Sequence, residues 1–260
     1  MYKIYAIRYA ERDGGTRSSD FYMATDPLAA HKLTYFMWVV IGDDGDSYVI
    51  DAGFTPEAGA RRNRPVTCDV LAVMRTLGVD IENQRDVVLT HLHWDHVGHI
   101  RSFPNAKFWL QEKEMAFWTG PDATRYGYIQ TIEADDIVTL VKLNFEGRLK
   151  FLDGPATLAP GITLHPIGGH SPGMQVVRID TGEGVVLLAS DAAHFYENLE
   201  PDKPFAIIHS LADQHRATEQ MHELVDSRAN IVPGHDPLVL ERYSAPTPEL
   251  AGHVVEIKAV

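Results

Sequence analysis

Three imidazoles and a carboxylate fall within six consecutive positions, His91-Leu92-His93-Trp94-Asp95-His96. Further along the chain stand His170, Asp191 and His235. Imidazole nitrogens and carboxylate oxygens are the donors that divalent ions such as zinc take from proteins. The alternative is a polar turn satisfied by hydrogen bonds. Titratable groups crowded this closely would repel or desolvate one another without a cation, which disfavours that alternative. The pattern points to two metal ions that activate water.

The run must be held by something rigid, and Val87-Val88-Leu89-Thr90 directly before it reads as a buried strand ending in a loop. Similar readings place strands at Lys3–Tyr9, Leu33–Ile41 and Ser47–Ile50, and a helix near Cys68–Leu77. Gly42-Asp43-Asp44-Gly45 marks a hairpin turn between two apolar runs. In the second half, Ile162–Pro166, Met174–Ile179 and Val185–Ala189 read as strands, and Thr181-Gly182-Glu183-Gly184 marks another hairpin. Ile231-Val232 precedes Pro233-Gly234-His235, and a helix is predicted over Leu211–Val225. Between the halves, Gln111–Gly147 is rich in helix formers and aromatic residues. The expected fold class is α+β, with two β-sheets packed face to face and flanked by helices. A candidate ligand follows each of several strands, which puts the site along one edge of that sandwich.

Bulk properties narrow the function. The chain has 260 residues and a formal charge of −13 with its histidines counted neutral. That balance argues against nucleic acid, whose phosphates call for clustered Lys and Arg. Cys68 is the only cysteine, so an intramolecular disulfide and a Cys-rich zinc site are both excluded. Cys68 sits in the apolar pattern of the helix and reads as a small core residue. The N-terminal residues alternate like a strand and lack a signal-peptide core, and nothing approaches the roughly 20 apolar residues that span a bilayer. No membrane partner is expected, and the expected location is cytoplasmic.

The motifs H-x-H-x-D-H, Gly168-Gly169-His170-Ser171-Pro172-Gly173, Ala189-Ser190-Asp191-Ala192 and Pro233-Gly234-His235-Asp236 together resemble the metallo-β-lactamase superfamily. Within it, the residues around His170 and Asp191 are similar to those of the quorum-quenching N-acyl-homoserine lactonases. The resemblance spans roughly residues 34–240. It implies a single αβ/βα four-layer sandwich over 1–260, with a helical, aromatic insertion around 111–147, and a homodimer. It also implies one metal held by His91, His93 and His170 and a second held by Asp95, His96 and His235, with Asp191 bridging both. Zinc is the first expectation, with iron, manganese and cobalt as alternatives. The implied reaction is attack of a metal-bridging hydroxide on an N-acyl-homoserine lactone or another small lactone, with Asp95 protonating the leaving alkoxide.

One position departs from that family. Many such lactonases carry a tyrosine three residues after the bridging Asp, and here the residue is His194. His194 either polarises the lactone carbonyl in its place or is a loop residue, with Tyr196 as a substitute. Phe117, Trp118 and Tyr126 either cover the metals as an apolar lid or cover core or a dimer interface, and Phe21 and Met23 are expected to line the pocket. His99 is expected to orient a metal ligand. Competing readings are a glyoxalase-II-like thioester hydrolase, which would call for a basic cluster near the C-terminus, and a mono-iron sulfur-oxidising enzyme, which would not need Asp95, His96 and His235 together. A metal-binding structural or sensor module is the non-enzymatic alternative.

Overall fold

Along the first strand, β1 (Tyr2–Thr16), Ile4 and Ala6 point one way and Tyr5 and Ile7 the other, and all four are buried. A strand with no wet face must lie between two packed layers. The computed structural model, which describes residues 1–201 and 203–260, shows both layers. β2 (Ala30–Gly42) follows as the antiparallel neighbour of β1, and β3 (Ser47–Ile50) pairs antiparallel with β2. β4 (Asp86–Val88), β5 (Lys107–Gln111) and β6 (Leu149–Leu152) then add in parallel.

β7 (Ala156–Ala159), β8 (Ile162–Pro166), β9 (Gln175–Asp180) and β10 (Val185–Ser190) form an antiparallel meander, beside which β11 (Ile231–Pro233) runs parallel to β10. β12 (Val254–Ile257) returns to the outer edge of β1. The strand orders are β12-β1-β2-β3-β4-β5-β6 and β11-β10-β9-β8-β7.

Ile4, Ala6, Trp38, Val40 and Ile50 of the first sheet meet Leu164, Val177, Val186 and Leu188 of the second. On the outer face of the first sheet, Ile7, Met37, Val39 and Val87 pack against helices α1 (Val70–Thr76) and α3 (Ala134–Phe145), through Met74 and Leu140. α2 (Glu112–Trp118) follows β5 directly. On the far side of the second sheet, Leu187 and Ile231 pack against Ala217 and Met221 of α4 (Leu211–Glu223). The order helix, sheet, sheet, helix is the expected four-layer sandwich.

The differences from the sequence reading are local. β1 runs past Tyr9 to Thr16 through Glu11, Arg12 and Asp13, charged residues that hide a strand from any hydrophobic pattern. Its pairing with β2 shifts register between Arg8 and Ala10 and again between Arg12 and Gly15. Strand β4 stops at Val88, and Leu89 and Thr90 already belong to the following loop. The segment 111–147 contains α2 and α3 and is the crossover between neighbouring parallel strands β5 and β6. It is therefore a connection within the first sheet. Asp69 accepts from Ala72 N at 3.0 Å and starts α1 at Val70, two residues later than the apolar pattern suggests. Among the described residues no helix is long and apolar enough to cross a membrane.

Candidate metal centre

Three strand ends meet at Asp51, the residue after β3. Its carboxylate accepts from Thr90 N at 2.8 Å, Thr90 Oγ1 at 2.9 Å and Ser190 Oγ at 3.1 Å, and lies 2.8 Å from His96 Nδ1. Asp51 and Ser190 both take positive φ, 63° and 45°. That conformation is uncommon for residues with a Cβ and persists where surrounding bonds fix it. The turn at Ser190 lets Asp191 leave the second sheet at one end of the sandwich, while the bonds from Asp51 to Thr90 and His96 fix the loop that follows β4. Gly234 completes this corner, because a Cβ there would stand 2.7 Å from Ser190 C and O and hold His235 away from Asp191. Gly169 does the same before His170, where a Cβ would meet Gln214 Cα at 2.7 Å.

The result is a buried cluster. One donor atom each from His91, His93, His170 and Asp191 lies within 4.8 Å of the others, and so do donors of Asp95, His96 and His235. Asp191 stands between the two groups. Its Oδ2 faces His170 Nε2 at 3.3 Å and His91 Nε2 at 3.7 Å, while its Oδ1 faces His235 Nε2 at 2.9 Å and His96 Nε2 at 3.2 Å. His91 Nε2, His96 Nε2, His235 Nε2 and Asp191 Oδ1 are all buried without a hydrogen-bond partner. Orphaned buried polar atoms are rare and costly. Four of them aimed at one another describe a set of ligands with a common target.

The opposite ring nitrogens support the same reading. His170 Nδ1 donates to Ile207 O at 2.9 Å and His235 Nδ1 to Thr34 O at 2.9 Å. A carbonyl can only accept, so Nδ1 carries the proton and, in the neutral ring, Nε2 presents its lone pair to the cluster. Burial pushes His91 and His93 well below the usual imidazole range, and neighbouring imidazoles push the same way. Burial likewise lowers His170 to about 3 and His194 to about 4. Burial opposes charge on His96 and His235 too, but Asp191 and its fellow carboxylates outweigh it and raise both. Neutral donors on one side and a demand for positive charge beside Asp191 on the other suit a cation.

Glu114, in the first turn of α2, gave no signal in the sequence. It is fully buried, and its two oxygens accept four hydrogen bonds, from Ser171 Oγ at 2.6 Å, Gly173 N at 2.7 Å, Trp118 Nε1 at 2.8 Å and Leu92 N at 3.1 Å. It joins the loop of His91 and His93 to the loop of His170. Burial raises its carboxyl above the usual range against those bonds.

Two cavities open onto the cluster. One, of about 490 Å³, is lined by Arg12, Tyr35, Arg64, Asp95, His194 and Phe205 among others. The second, of about 420 Å³, is lined by Trp118, Tyr126, Tyr128, His209 and Ile207 and shares His93 and His170 with the first. Trp118 and Tyr126 both line this second cavity, Tyr126 as an exposed residue. His194 is buried at the edge of the cluster, with Nε2 2.9 Å from Asp191 Oδ2 and its ring flat on Phe205 at 3.3 Å.

The other expected substrate contacts line neither cavity. Phe21 is core, stacked on Phe195 at 5.5 Å, and Met23 is 83% exposed. Phe117 packs edge-on against Trp118 and Tyr128, behind the wall that Trp118 forms. Tyr196 lies under the Arg242 guanidinium at 3.5 Å. An aromatic residue is equally suited to wall and core, and the sequence alone does not separate them. His99 is half-buried and lines a different cavity, beside Cys68.

The sequence profile of the metallo-beta-lactamase superfamily matches residues 35–235. An N-acyl homoserine lactonase of Bacillus cereus is 31% identical over 138 residues, 53% of this chain and 50% of that one. The N-acyl homoserine lactonase AiiB of Agrobacterium fabrum is 31% identical over 179 residues, 65% of this chain and 63% of that one. The chain thus spans about half the length of the Bacillus relative it matches and less than two thirds of the Agrobacterium one. A solved N-acyl homoserine lactone hydrolase with N-hexanoyl-L-homoserine bound at its catalytic metal center shares the fold, with a TM-score of 0.75 at 21% identity over 94% of this chain and 97% of that one.

Proposed function

The chain belongs to the metallo-β-lactamase superfamily, and from that premise we propose that it is a metal-dependent hydrolase that opens the ring of a lactone, an N-acyl-homoserine lactone or another small lactone. The observation that carries this reading is the convergence of four buried, unpartnered donor atoms, His91 Nε2, His96 Nε2, His235 Nε2 and Asp191 Oδ1. Two ions would be held there, one by His91, His93 and His170 and one by Asp95, His96 and His235, with Asp191 shared. Zinc is the first choice for such donors, and iron, manganese and cobalt fit the same set. When bound, they supply an activated water and Lewis acidity at the carbonyl.

The chain's own residues do the rest. Asp95, which lines the larger cavity, would hand a proton to the departing alkoxide. His194 steadies Asp191 through its Nε2 and borders the space the carbonyl would occupy. Trp118 and Tyr126 give an acyl or aromatic substituent an apolar wall. The lactonase relatives support the lactone as substrate. Pairing into a homodimer and a cytoplasmic location complete the reading, and light scattering of the purified protein tests the first.

The test joins metal quantification to a lactone panel followed by proton release. Two ions per chain and ring opening of at least one lactone are expected. Fewer than two ions per active subunit, or inertness toward every lactone and ester, overturns the reading.

A further inference from the structure

The larger cavity has a basic wall that lactone opening does not call for. Arg12, Arg62 and Arg64 line it, while among the described residues its only acidic lining residues are Asp95 and Asp191 of the cluster. This is a local reversal in a chain of net charge −13.

The three guanidiniums are not equivalent. Arg62 is consumed: it pairs with Glu133 at 2.9 Å, donates to Gln130 O at 2.7 Å and Ile132 O at 3.0 Å, and lies over Trp94. Arg12 is held by Asp20, which also meets His31 Nδ1 at 2.7 Å, yet Arg12 Nε is buried without a partner. Arg64 donates from Nε to the Tyr35 hydroxyl at 3.1 Å and from Nη1 to Asn63 O at 2.9 Å and Arg62 O at 3.2 Å. Among the described residues no carboxylate pairs with Arg64. The Tyr35 ring stands 5.3 Å from the ring of His235, so this corner adjoins the cluster.

We propose that Arg64 and Arg12, with the Tyr35 hydroxyl, form a subsite for a carboxylate on the substrate, so that this hydrolase prefers anionic lactones to neutral ones. The inference rests on the lactone-opening reading and adds a substrate class to it. Arginine offers a planar fork that matches a carboxylate, and a half-buried guanidinium without a counter-ion gains from one. With the scissile carbonyl at the cluster, an anionic group would reach the arginine corner, and an apolar group would reach Trp118 and Tyr126 on the other side.

The metal-loaded protein is given a matched pair, γ-butyrolactone bearing a ring carboxylate and the same lactone as its primary amide. The carboxylate should be favoured at least about tenfold in kcat/KM, the size expected of one hydrogen bond to a charged group. Arg64→Gln should shrink that preference at least about tenfold, chiefly through KM, and Arg64→Lys should restore part of it. Equal use of the two lactones, or an unchanged preference in Arg64→Gln, overturns the subsite. If neither lactone opens, the function reading fails instead, and calorimetric binding of glutarate decides the subsite separately. Binding that Arg64→Gln weakens at least about tenfold supports it, and no binding or equal binding overturns it.

Discussion

Asp191 must serve two groups of imidazoles at once, and its two oxygens are divided accordingly. Oδ2 faces His91 and His170, and Oδ1 faces His96 and His235. An amide at this position keeps the shape but loses the charge and turns one oxygen into a donor. Asp191→Asn should therefore lose most of both ions, read by elemental analysis, and hydrolysis should fall by about a thousandfold or more. Retention of two ions with full activity would show that Asp191 bridges nothing. His194 belongs to the same corner but plays a different part. Its Nε2 touches Asp191 Oδ2 at 2.9 Å, the shortest approach to that oxygen, and its other nitrogen, Nδ1, is buried and unpartnered. His194→Ala should keep both ions and lower kcat about 10- to 100-fold, the size expected when a partner that orients a metal ligand is removed. Loss of an ion in that variant would instead make His194 a ligand, and unchanged kinetics would leave it without a role.

Between the residues and the whole molecule stand the loops, and Glu114 of α2 ties two of them together. It holds Leu92 N in one ligand loop and Ser171 and Gly173 in the other. Glu114→Gln replaces one acceptor by a donor that faces N–H groups, so at least one loop must let go. Partners that orient metal ligands typically set affinity by about 10- to 100-fold. Competition with a chelator should show a loss of that order in Glu114→Gln while circular dichroism stays unchanged, and unaltered metal affinity would reduce Glu114 to a packing role. The difference between Glu114 and His93 also explains what the sequence discloses. His91 to His96 are recognisable because their types and spacing are rare together, and the strand before them is apolar. Glu114 and Asp51 are ordinary acidic residues whose meaning lies in partners in the ligand loops, 22 to 59 positions from Glu114 and 39 to 139 from Asp51, which only the fold brings near. Arg12 is hidden in the same way, on the charged end of β1 where periodicity fails. Phe21 and Met23 mark the opposite error, since apolar character alone does not say which surface a residue joins.

At the scale of the molecule, the site lies where the two sheets open at one end of their shared core. His91, His93, Asp95 and His96 follow β4 of the first sheet, whereas His170, Asp191 and His235 follow β8, β10 and β11 of the second. Each proposed ion draws ligands from both sheets, so each would pin one sheet to the other. Without a cation, buried imidazoles and carboxylates face one another across the seam with unpartnered atoms, an arrangement that costs stability. An ion that binds only the folded chain adds about 4 kcal/mol when present at a thousand times its Kd. For a chain of this size about 1 kcal/mol moves Tm by roughly 2–4 °C, so removing one ion should lower Tm by roughly 8–16 °C and removing both by up to about twice that. Dialysis against a chelator followed by calorimetry measures the drop, and adding zinc back should reverse it. The same treatment should leave the Asp191→Asn variant almost unmoved, because its ions are already lost. A chelated wild-type protein that melts where the untreated one does would mean that the two sheets hold together on apolar contacts alone and that the cluster takes no ion.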